Sequence, residues 1–402
     1  MEILSNINDC CGCSACMQAC PQKCITMKMN YEGFLYPFIN ENNCIVCRKC
    51  QSVCPILNEK QSISPKRVFA YKCNDNTIVE NSSSGGAFSY FATEIIKRKG
   101  HVIGAGFDQQ WHLCHQDINN INDLDILRRS KYIQSEINNM YKRTSDLLKQ
   151  NIPVLFTGTP CQIAGLKSYL RKDYENLYTI DVICHGVPSP MVFKNYIKEI
   201  TNYKRCNITT NPLKCINSNR KEPKPITEIN FRYKKKSENK SWRLFSLRLK
   251  FKDKNKEGIV TNTWKTDIYL KGFLDHLYLR KSCHQCQFRS QKSSSDITIG
   301  DFWGIEKLSP KTDDDTGINL IIVNTNKGYK LCTDMNSIIE CKYYDVNKTN
   351  SALEQSPKAH IMREYFFKNY KRKGMLFTTL LCIQQSFTAM ILRKFLIKKR
   401  IK

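Results

Sequence analysis

The sequence predicts a small N-terminal α+β domain joined to a larger α/β body that contains parallel strands. Two copies of one cysteine pattern before residue 55 indicate the small domain, and a strand–loop–helix–strand unit in the middle of the chain indicates the body. The length of 402 residues is enough for two or three domains, each with a buried core. We expect domains at residues 1–60, 66–150 and 151–345, followed by a basic helical tail at 350–402.

The N-terminal domain is defined by eight of the 21 cysteines. They form two copies of C-x2-C-x2-C-x3-C-P, which indicates an internal duplication. In two-cluster ferredoxins the first three cysteines of such a run ligate one 4Fe-4S cluster and the fourth ligates the other. Cluster one is predicted to be bound by Cys10, Cys13, Cys16 and Cys54, and cluster two by Cys44, Cys47, Cys50 and Cys20.

A hairpin is predicted between the two repeats, with strands over Ile25–Met29 and Leu35–Ile39. Zinc is the alternative interpretation, but structural zinc sites use pairs of ligands rather than a triplet with a distal Cys-Pro. Cys11 and Cys24 lie outside the pattern and are interpreted as small buried residues without a ligand role.

The body is predicted to start near Arg67, after a linker. A Ser-Gly loop ending in Gly85 and Gly86 precedes a helix predicted over Ala87–Lys99. Backbone N–H groups at such a helix start suit a phosphate, although serine and glycine are equally ordinary capping residues. No Gly-Lys-Ser/Thr closes the loop and no G-x-G-x-x-G follows the first strand, so neither a nucleoside triphosphatase nor a standard Rossmann site is predicted.

Two parallel strands with a helix between them are predicted over residues 154–183. The loops after these strands carry Cys161 and Cys184, at the sheet edge where parallel sheets build their sites. A third segment adds Cys283 and Cys286. Four such thiolates are enough for another 4Fe-4S cluster or for zinc, and the spacing leaves both open beside inert buried thiols.

The formal net charge is +27, from 63 basic and 36 acidic residues. Basic residues concentrate between residues 204 and 256, around strands predicted at 226–233 and 243–251. A basic face attracts nucleic acid, anionic membrane and acidic proteins alike. Because no nucleic-acid-binding motif accompanies it, we expect a solvated antiparallel insertion that attracts acidic electron carriers such as ferredoxins or flavodoxins.

Six motifs, in order along the chain, closely resemble the coenzyme F420 hydrogenase/dehydrogenase beta subunit family. They fall within about residues 66–330 and are Ser82–Phe88, Ser130–Ser135, Thr157–Gln162, Cys184–Pro188, Cys283–Cys286 and Asp296–Gly304. With the ferredoxin domain in front, the chain is similar to the bacterial fusion form of this family, whose relatives include plant 7-hydroxymethyl chlorophyll a reductase.

The resemblance implies a flavoprotein that binds FAD in its body and passes electrons between FAD and 4Fe-4S clusters. It implies a third cluster on the four later cysteines, Cys161, Cys184, Cys283 and Cys286. It also implies that Lys131 contacts a phosphate or the flavin ring. The residues implied as FAD contacts are Ser83, Ser84, Gly85, Gly86, Ser130, Lys131, Tyr132, Gly158 and Thr159.

We therefore expect an iron-sulfur flavoprotein oxidoreductase that moves electrons between a redox carrier, such as ferredoxin or a reduced coenzyme, and a small-molecule substrate. The alternative is a non-catalytic electron-transfer subunit that serves a separate enzyme, since many bacterial fusion members accompany surface-polysaccharide genes. His185, Arg280 and Asp301 are polar candidates near the inferred crevice, and none is assigned as a catalytic acid.

The tail combines nine basic residues from Lys371 onwards with an uncharged stretch, Met375 to Leu392. Its apolar positions repeat at helical spacing, which favours a helix docked on the protein or lying on anionic lipid over a membrane span. Residues Met1 to Asp9 show no secretory signal, so we expect a cytoplasmic protein with a peripheral, salt-sensitive contact at the inner membrane face.

Overall fold

The computed structural model describes residues 2–58, 61–202, 224–234, 242–253, 256–309, 313–335 and 338–383. Its strands are β1 Ile25–Met29, β2 Leu35–Ile39, β3 Arg67–Tyr71, β4 His101–Phe107, β5 Leu113–Ile118, β6 Val154–Gly158, β7 Leu177–Val182, β8 Ile226–Tyr233, β9 Ser246–Asp253, β10 Lys256–Thr263, β11 Ile297–Asp301, β12 Asn319–Val323 and β13 Ile338–Glu340. Its helices are α1 Ala15–Ala19, α2 Lys49–Ser52, α3 Asn76–Glu80, α4 Ala87–Lys97, α5 Leu124–Leu127, α6 Met140–Lys149, α7 Pro160–Leu170, α8 Pro190–Thr201, α9 Ile268–Leu274, α10 Ile305–Leu308, α11 Asn326–Cys332, α12 Tyr343–Asn347, α13 Arg363–Lys373 and α14 Met375–Ile383.

A mixed eight-stranded sheet forms the centre of the body, in the order β13-β3-β12-β11-β7-β6-β4-β5. The middle strands β11, β7, β6 and β4 run parallel, and the outer strands pair antiparallel. Buried aliphatic residues on β6 and β7 fit this central position, because helices cover both faces of a parallel sheet. Strands from both predicted body regions, 66–150 and 151–345, enter this one sheet.

The direction of the parallel strands places several loops at one edge. The carboxyl ends of β6, β7 and β11 lie together there, and they lead into Cys161, Cys184 and Asp301. A separate antiparallel sheet of β8, β9 and β10 covers part of the body. The candidate site is therefore built at the carboxyl edge of the central sheet.

The small domain packs directly against the body through the turn between β1 and β2. Phe34 in this turn is fully buried in the aromatic core that α8 and α9 form. The Oγ of Ser189 donates a 2.5 Å hydrogen bond to the carbonyl oxygen of Glu32. Gly33 has a φ of +87°, and a Cβ there would lie 2.3 Å from the Cβ of Met191. Only glycine therefore allows the turn to approach the body this closely.

The described part of the tail packs on the protein itself. Leu376 on α14 is fully buried, and Leu380 and Ile383 pack on the same core, beside α8 and α9. The apolar face predicted in this segment is therefore covered by protein rather than presented to lipid. The basic end, residues 384–402, lies outside the described residues. Within the described ranges, no helix has the length and apolar character that a membrane span requires.

Candidate functional site

The predicted ligands of cluster two surround one small cavity. Cys20, Cys44, Cys47 and Cys50 line a space of about 20 Å³ beside α2. Cys24 lines the same space, with its Sγ 3.4 Å from the Sγ of Cys20. The fourth cysteine of the first repeat thus lies with the first three of the second repeat.

The predicted ligands of cluster one meet inside the small domain. Cys10, Cys16 and Cys54 belong to one buried group, and Cys10 and Cys16 both act electrostatically on Cys13. Burial raises the pKa of the Cys16 and Cys54 thiols, because a site without water disfavours a bare thiolate. Iron supplies the positive charge that stabilises such thiolates.

The third predicted set of cysteines comes from three separate segments that meet at one cavity of about 150 Å³. Cys161 lies at the start of α7, Cys184 follows β7, and Cys283 and Cys286 lie on a 3-10 turn and directly after it. Burial raises the pKa of the Cys283 thiol to about 12. Within the described residues, no three His, Cys, Asp or Glu side chains converge closely enough to hold a single metal ion. An iron-sulfur cube separates its four thiolates more widely than a single ion does.

Cys11 joins this third set to cluster one. Its thiol interacts electrostatically with the thiols of both Cys13 and Cys161. Cys11 is 7% exposed and lines the same cavity as Cys161. The spacing of the repeats assigns it no role, because its partner Cys161 is distant in sequence and only the fold brings the two together.

A larger cavity, of about 480 Å³, opens at the carboxyl ends of the parallel strands. Eight of the nine residues implied as FAD contacts line it, namely Ser83, Ser84, Gly86, Ser130, Lys131, Tyr132, Gly158 and Thr159. Gly85 is not among the residues that line it. A Cβ on Gly85 would lie 2.4 Å from the carbonyl oxygen of Tyr71 and 2.9 Å from the backbone nitrogen of Asn319. Gly85 therefore serves the close packing of the loop on β3 and β12.

Hydrogen bonds join the two polar segments that the sequence placed at this site. The Oγ of Ser83 accepts a 2.7 Å hydrogen bond from the N–H of Ser130. At the start of α4, the Oδ1 of Asn319 accepts a 2.9 Å hydrogen bond from the N–H of Ala87. The Ser-Gly loop is thus held against β12 and against the segment at Ser130.

The ammonium group of Lys131 is occupied by backbone oxygens. Its Nζ donates to the carbonyl oxygens of Ala105 at 2.8 Å and Arg128 at 2.6 Å. Burial, reinforced by Arg129, lowers the pKa of Lys131 to about 7. In this structure Lys131 stabilises the backbone of the cavity wall through these hydrogen bonds. The resemblance implied instead that it contacts a phosphate or the flavin ring.

Three arginines that sequence reasoning missed line the same cavity: Arg128, Arg129 and Arg232. Arg129 donates to the Oδ1 of Asn81 at 2.7 Å, and Arg232 pairs with Asp301 at 2.8 Å with only 2% of its side chain exposed. Arg128 and Arg129 belong to the basic run Arg-Arg-Ser-Lys, which was a local signal for them in the sequence. Arg232 arrives from β8, so only the tertiary fold reveals it.

Cys184 lies in the wall between the two cavities. It lines both of them, together with Gly186 and Val187. His185 lines the larger cavity, and burial beside His276 lowers its pKa to about 4. The imidazole is therefore neutral near pH 7, next to a cysteine of the third set.

Two family models match this chain. Residues 153–350 match the model for the C-terminal region of the coenzyme F420 hydrogenase/dehydrogenase beta subunit, and residues 9–57 match the model for a 4Fe-4S dicluster domain. No curated protein sequence matches. Among solved structures, the chain is similar to one in the xenon-derivatised F420-reducing NiFe hydrogenase complex from Methanosarcina barkeri, with 13% identity and a TM-score of 0.43. That match covers 79% of this chain and 91% of the other.

Proposed function

Because this chain belongs to the coenzyme F420 hydrogenase/dehydrogenase beta subunit family and carries a 4Fe-4S dicluster domain, we propose that it is an iron-sulfur flavoprotein oxidoreductase. It moves electrons between an external carrier, two ferredoxin-type clusters, a third cluster and FAD, and from FAD to or from a small molecule. The order of these groups follows the order of the sites in the fold.

One observation carries the proposal: the sites form an unbroken series. Cys13 at cluster one and Cys11 belong to one buried cluster with Cys161 packed against it, and Cys11 and Cys161 line the same cavity. Cys161 and Cys184 line the third cavity, and Cys184 also lines the larger one. A series of adjacent redox sites is what one-electron transfer between clusters and a flavin requires.

The larger cavity suits FAD in both charge and shape. Arg129 and Ser130 supply donors for the pyrophosphate, and aromatic rings of Tyr132 and Phe273, stacked with centroids 4.9 Å apart, supply an apolar wall. When bound, FAD supplies a centre that exchanges electrons one or two at a time, which couples clusters to two-electron chemistry. His185 and Asp301 both line this cavity and are polar groups that can hold or orient a proton.

We propose that the external carrier binds at the exposed loop of cluster two, residues 45–49. Ile45 and Val46 in this loop are 61% and 58% exposed, and Cys47 is also exposed. Arg48 and Lys49 line the same cavity as the cysteines and are exposed. An apolar centre with a basic rim suits an acidic one-electron carrier protein, for which opposite charge speeds association.

Anaerobic kinetics test this function. A chemically reduced acidic ferredoxin should reduce the flavin of wild-type protein rapidly, and Cys184→Ser should slow flavin reduction while reduction of the ferredoxin-type clusters continues. Arg48→Gln with Lys49→Gln should lower the rate in a salt-sensitive way, whereas Lys149→Gln, an exposed residue at the end of α6, should not. Reduction of the flavin without sustained turnover of any small molecule, coenzyme F420 and nicotinamides included, would indicate an electron-transfer subunit instead.

We also propose that the basic end of the tail makes a peripheral contact with an anionic membrane. Because α14 is covered by α8 and α9, this contact rests on the basic residues from Arg393 to Lys402 rather than on the apolar face of α14. Each such residue near an anionic surface contributes about 1 kcal/mol.

A further inference from the structure

Arg280 is a fully buried cation at the junction between the small domain and the body. Its Nε donates to the carbonyl oxygen of Cys10 at 2.7 Å, and its two Nη atoms donate to the Oε1 of Gln134 at 3.0 Å and the carbonyl oxygen of Leu35 at 2.9 Å. Its guanidinium lies 4.2 Å from the centre of the Tyr36 ring. All of these partners are neutral.

Other buried arginines in this protein have carboxylate partners. Arg232 pairs with Asp301 at 2.8 Å, and Arg363 pairs with Glu32 at 2.6 Å. Across the described residues, no carboxylate pairs with Arg280. A buried ion without a counter-charge is strongly destabilising, so the fold requires negative charge near Arg280 from another source.

Two sets of cysteines lie beside this guanidinium. Arg280 bonds to the backbone of Cys10 at cluster one, and it lines the cavity of the third set. Cys161 and Cys283 line that cavity together with it. Arg280 does not line the cavity of cluster two. A 4Fe-4S cluster held by four thiolates carries net negative charge, and reduction makes it more negative.

We propose that Arg280 is a counter-cation shared by cluster one and the third cluster. Reduction of either cluster adds negative charge beside a fixed, fully buried positive charge, so Arg280 raises both reduction potentials. The reduction potentials of these two neighbouring clusters then stay close enough for an electron to pass between them. The reduction potential of cluster two, whose cavity Arg280 does not line, is set independently. The part that concerns the third cluster rests on the proposed function; the part that concerns cluster one rests on the dicluster domain alone.

The test is an anaerobic redox titration of the full-length holoprotein, followed by electron paramagnetic resonance. Arg280→Gln and Arg280→Met remove the charge, Arg280→Lys keeps it, and Arg363→Lys alters a second buried arginine, whose charge is balanced by Glu32. In the neutral variants we expect the ratio of reduced to oxidised cluster, for cluster one and for the third cluster, to fall at least tenfold at a fixed potential, which is about 59 mV for a one-electron couple. The potential of cluster two in the neutral variants should shift by only a small fraction of that amount. The same small shift is expected for every cluster in Arg280→Lys and in Arg363→Lys.

Each result decides the question. Unchanged potentials in a neutral variant with full iron content overturn the proposal, and so does an equal shift in all clusters or in Arg363→Lys. If neutral variants fail to assemble cluster one while Arg280→Lys assembles it, the charge is required, as proposed; if Arg280→Lys fails equally, the role is hydrogen bonding and the proposal is overturned. A wild-type iron content that matches only two clusters rejects the third cluster, yet the potential of cluster one still tests Arg280.

Discussion

Glu32 and Arg363, 331 residues apart, form a buried two-point ion pair that joins the ferredoxin hairpin to α13. The two bonds measure 2.8 and 2.6 Å, and the side chains are 1% and 6% exposed. Arg363 also donates to the carbonyl oxygen of Leu279, next to Arg280. This ion pair therefore holds the small domain against the body beside Arg280.

The first prediction is that Glu32→Gln lowers the free energy of unfolding by about 3–5 kcal/mol, because it leaves the Arg363 charge buried without a partner. Chemical denaturation under anaerobic conditions measures it. The matched control is Glu340→Gln, which breaks the Arg67–Glu340 pair with about half of each side chain exposed, and should cost less than about 1 kcal/mol. Equal costs for the two variants would contradict this assignment.

The second prediction concerns the third cluster. Three clusters of four irons give about 12 iron and 12 sulfide per chain, and Cys283→Ser should remove about a third of both while the ferredoxin-type signals remain. Cys332→Ser is the control, because Cys332 is buried on α11 away from the cavity. Full iron content in Cys283→Ser, measured after anaerobic purification, would show that the third site is wrong.

The third prediction is that FAD copurifies and that Arg129→Gln weakens its binding roughly tenfold to a hundredfold, the effect of losing about 1.5–3 kcal/mol of charge-assisted hydrogen bonding. Arg98→Gln, exposed at the end of α4, is the control. Titration of FAD into stripped protein gives the affinities. Substitution of Gly85 is unsuitable for this purpose, because a side chain there meets the backbone of β3 and β12.

The fourth prediction is a pH dependence of stability from His115. Burial lowers its pKa to about 4, while its ring contacts Ser135 and the carbonyl oxygen of Thr157. The unfolded chain takes up this proton first as pH falls, so the contribution is complete above about pH 6.5 and is lost toward pH 4. Between pH 7 and 5 we expect wild type to lose about 2 kcal/mol more than His115→Gln does. Unfolding curves at each pH, with surface His112→Gln as control, measure the difference, and parallel pH profiles for wild type and His115→Gln would refute it.

The fifth prediction is that the protein sediments with anionic vesicles at low salt and is released at high salt. The informative truncation ends at Ile383, which keeps α14, whereas a cut after Asn369 would remove buried Tyr370 and Leu376. We expect the truncated chain to lose vesicle binding and keep its iron. If the full chain does not bind vesicles at low salt, the proposed surface contact is wrong. Binding that only detergent reverses would indicate a membrane span.

Local patterns in the sequence were enough for much of the fold. The hairpin strands β1 and β2 have the bounds expected from the sequence, and β6, α7 and β7 form the expected parallel unit. The family assignment is confirmed by the two matching models. These signals depend on residues close together in the chain, which sequence periodicity records directly.

The features that the sequence analysis missed depend on contacts between distant segments. Cys11 was interpreted as a small buried residue, because the cavity that it lines with Cys161 joins the small domain to the body and exists only in the folded protein. Arg232 reaches the cavity from the basic insertion, and Gly85 packs against strands rather than a ligand. In each case residue type and spacing are ordinary, and only the tertiary neighbour gives the residue its role.

The scattered origin of the third set of cysteines has a consequence for how the protein matures. The ligands of clusters one and two all emerge within the first 54 residues, so a nascent chain can receive both clusters before the body exists. Cys161, Cys184, Cys283 and Cys286 come from three separate segments of the body and meet only once the central sheet has formed. For the proposed third cluster this order predicts a second stage of iron delivery, and iron starvation should yield a folded population that lacks that cluster alone.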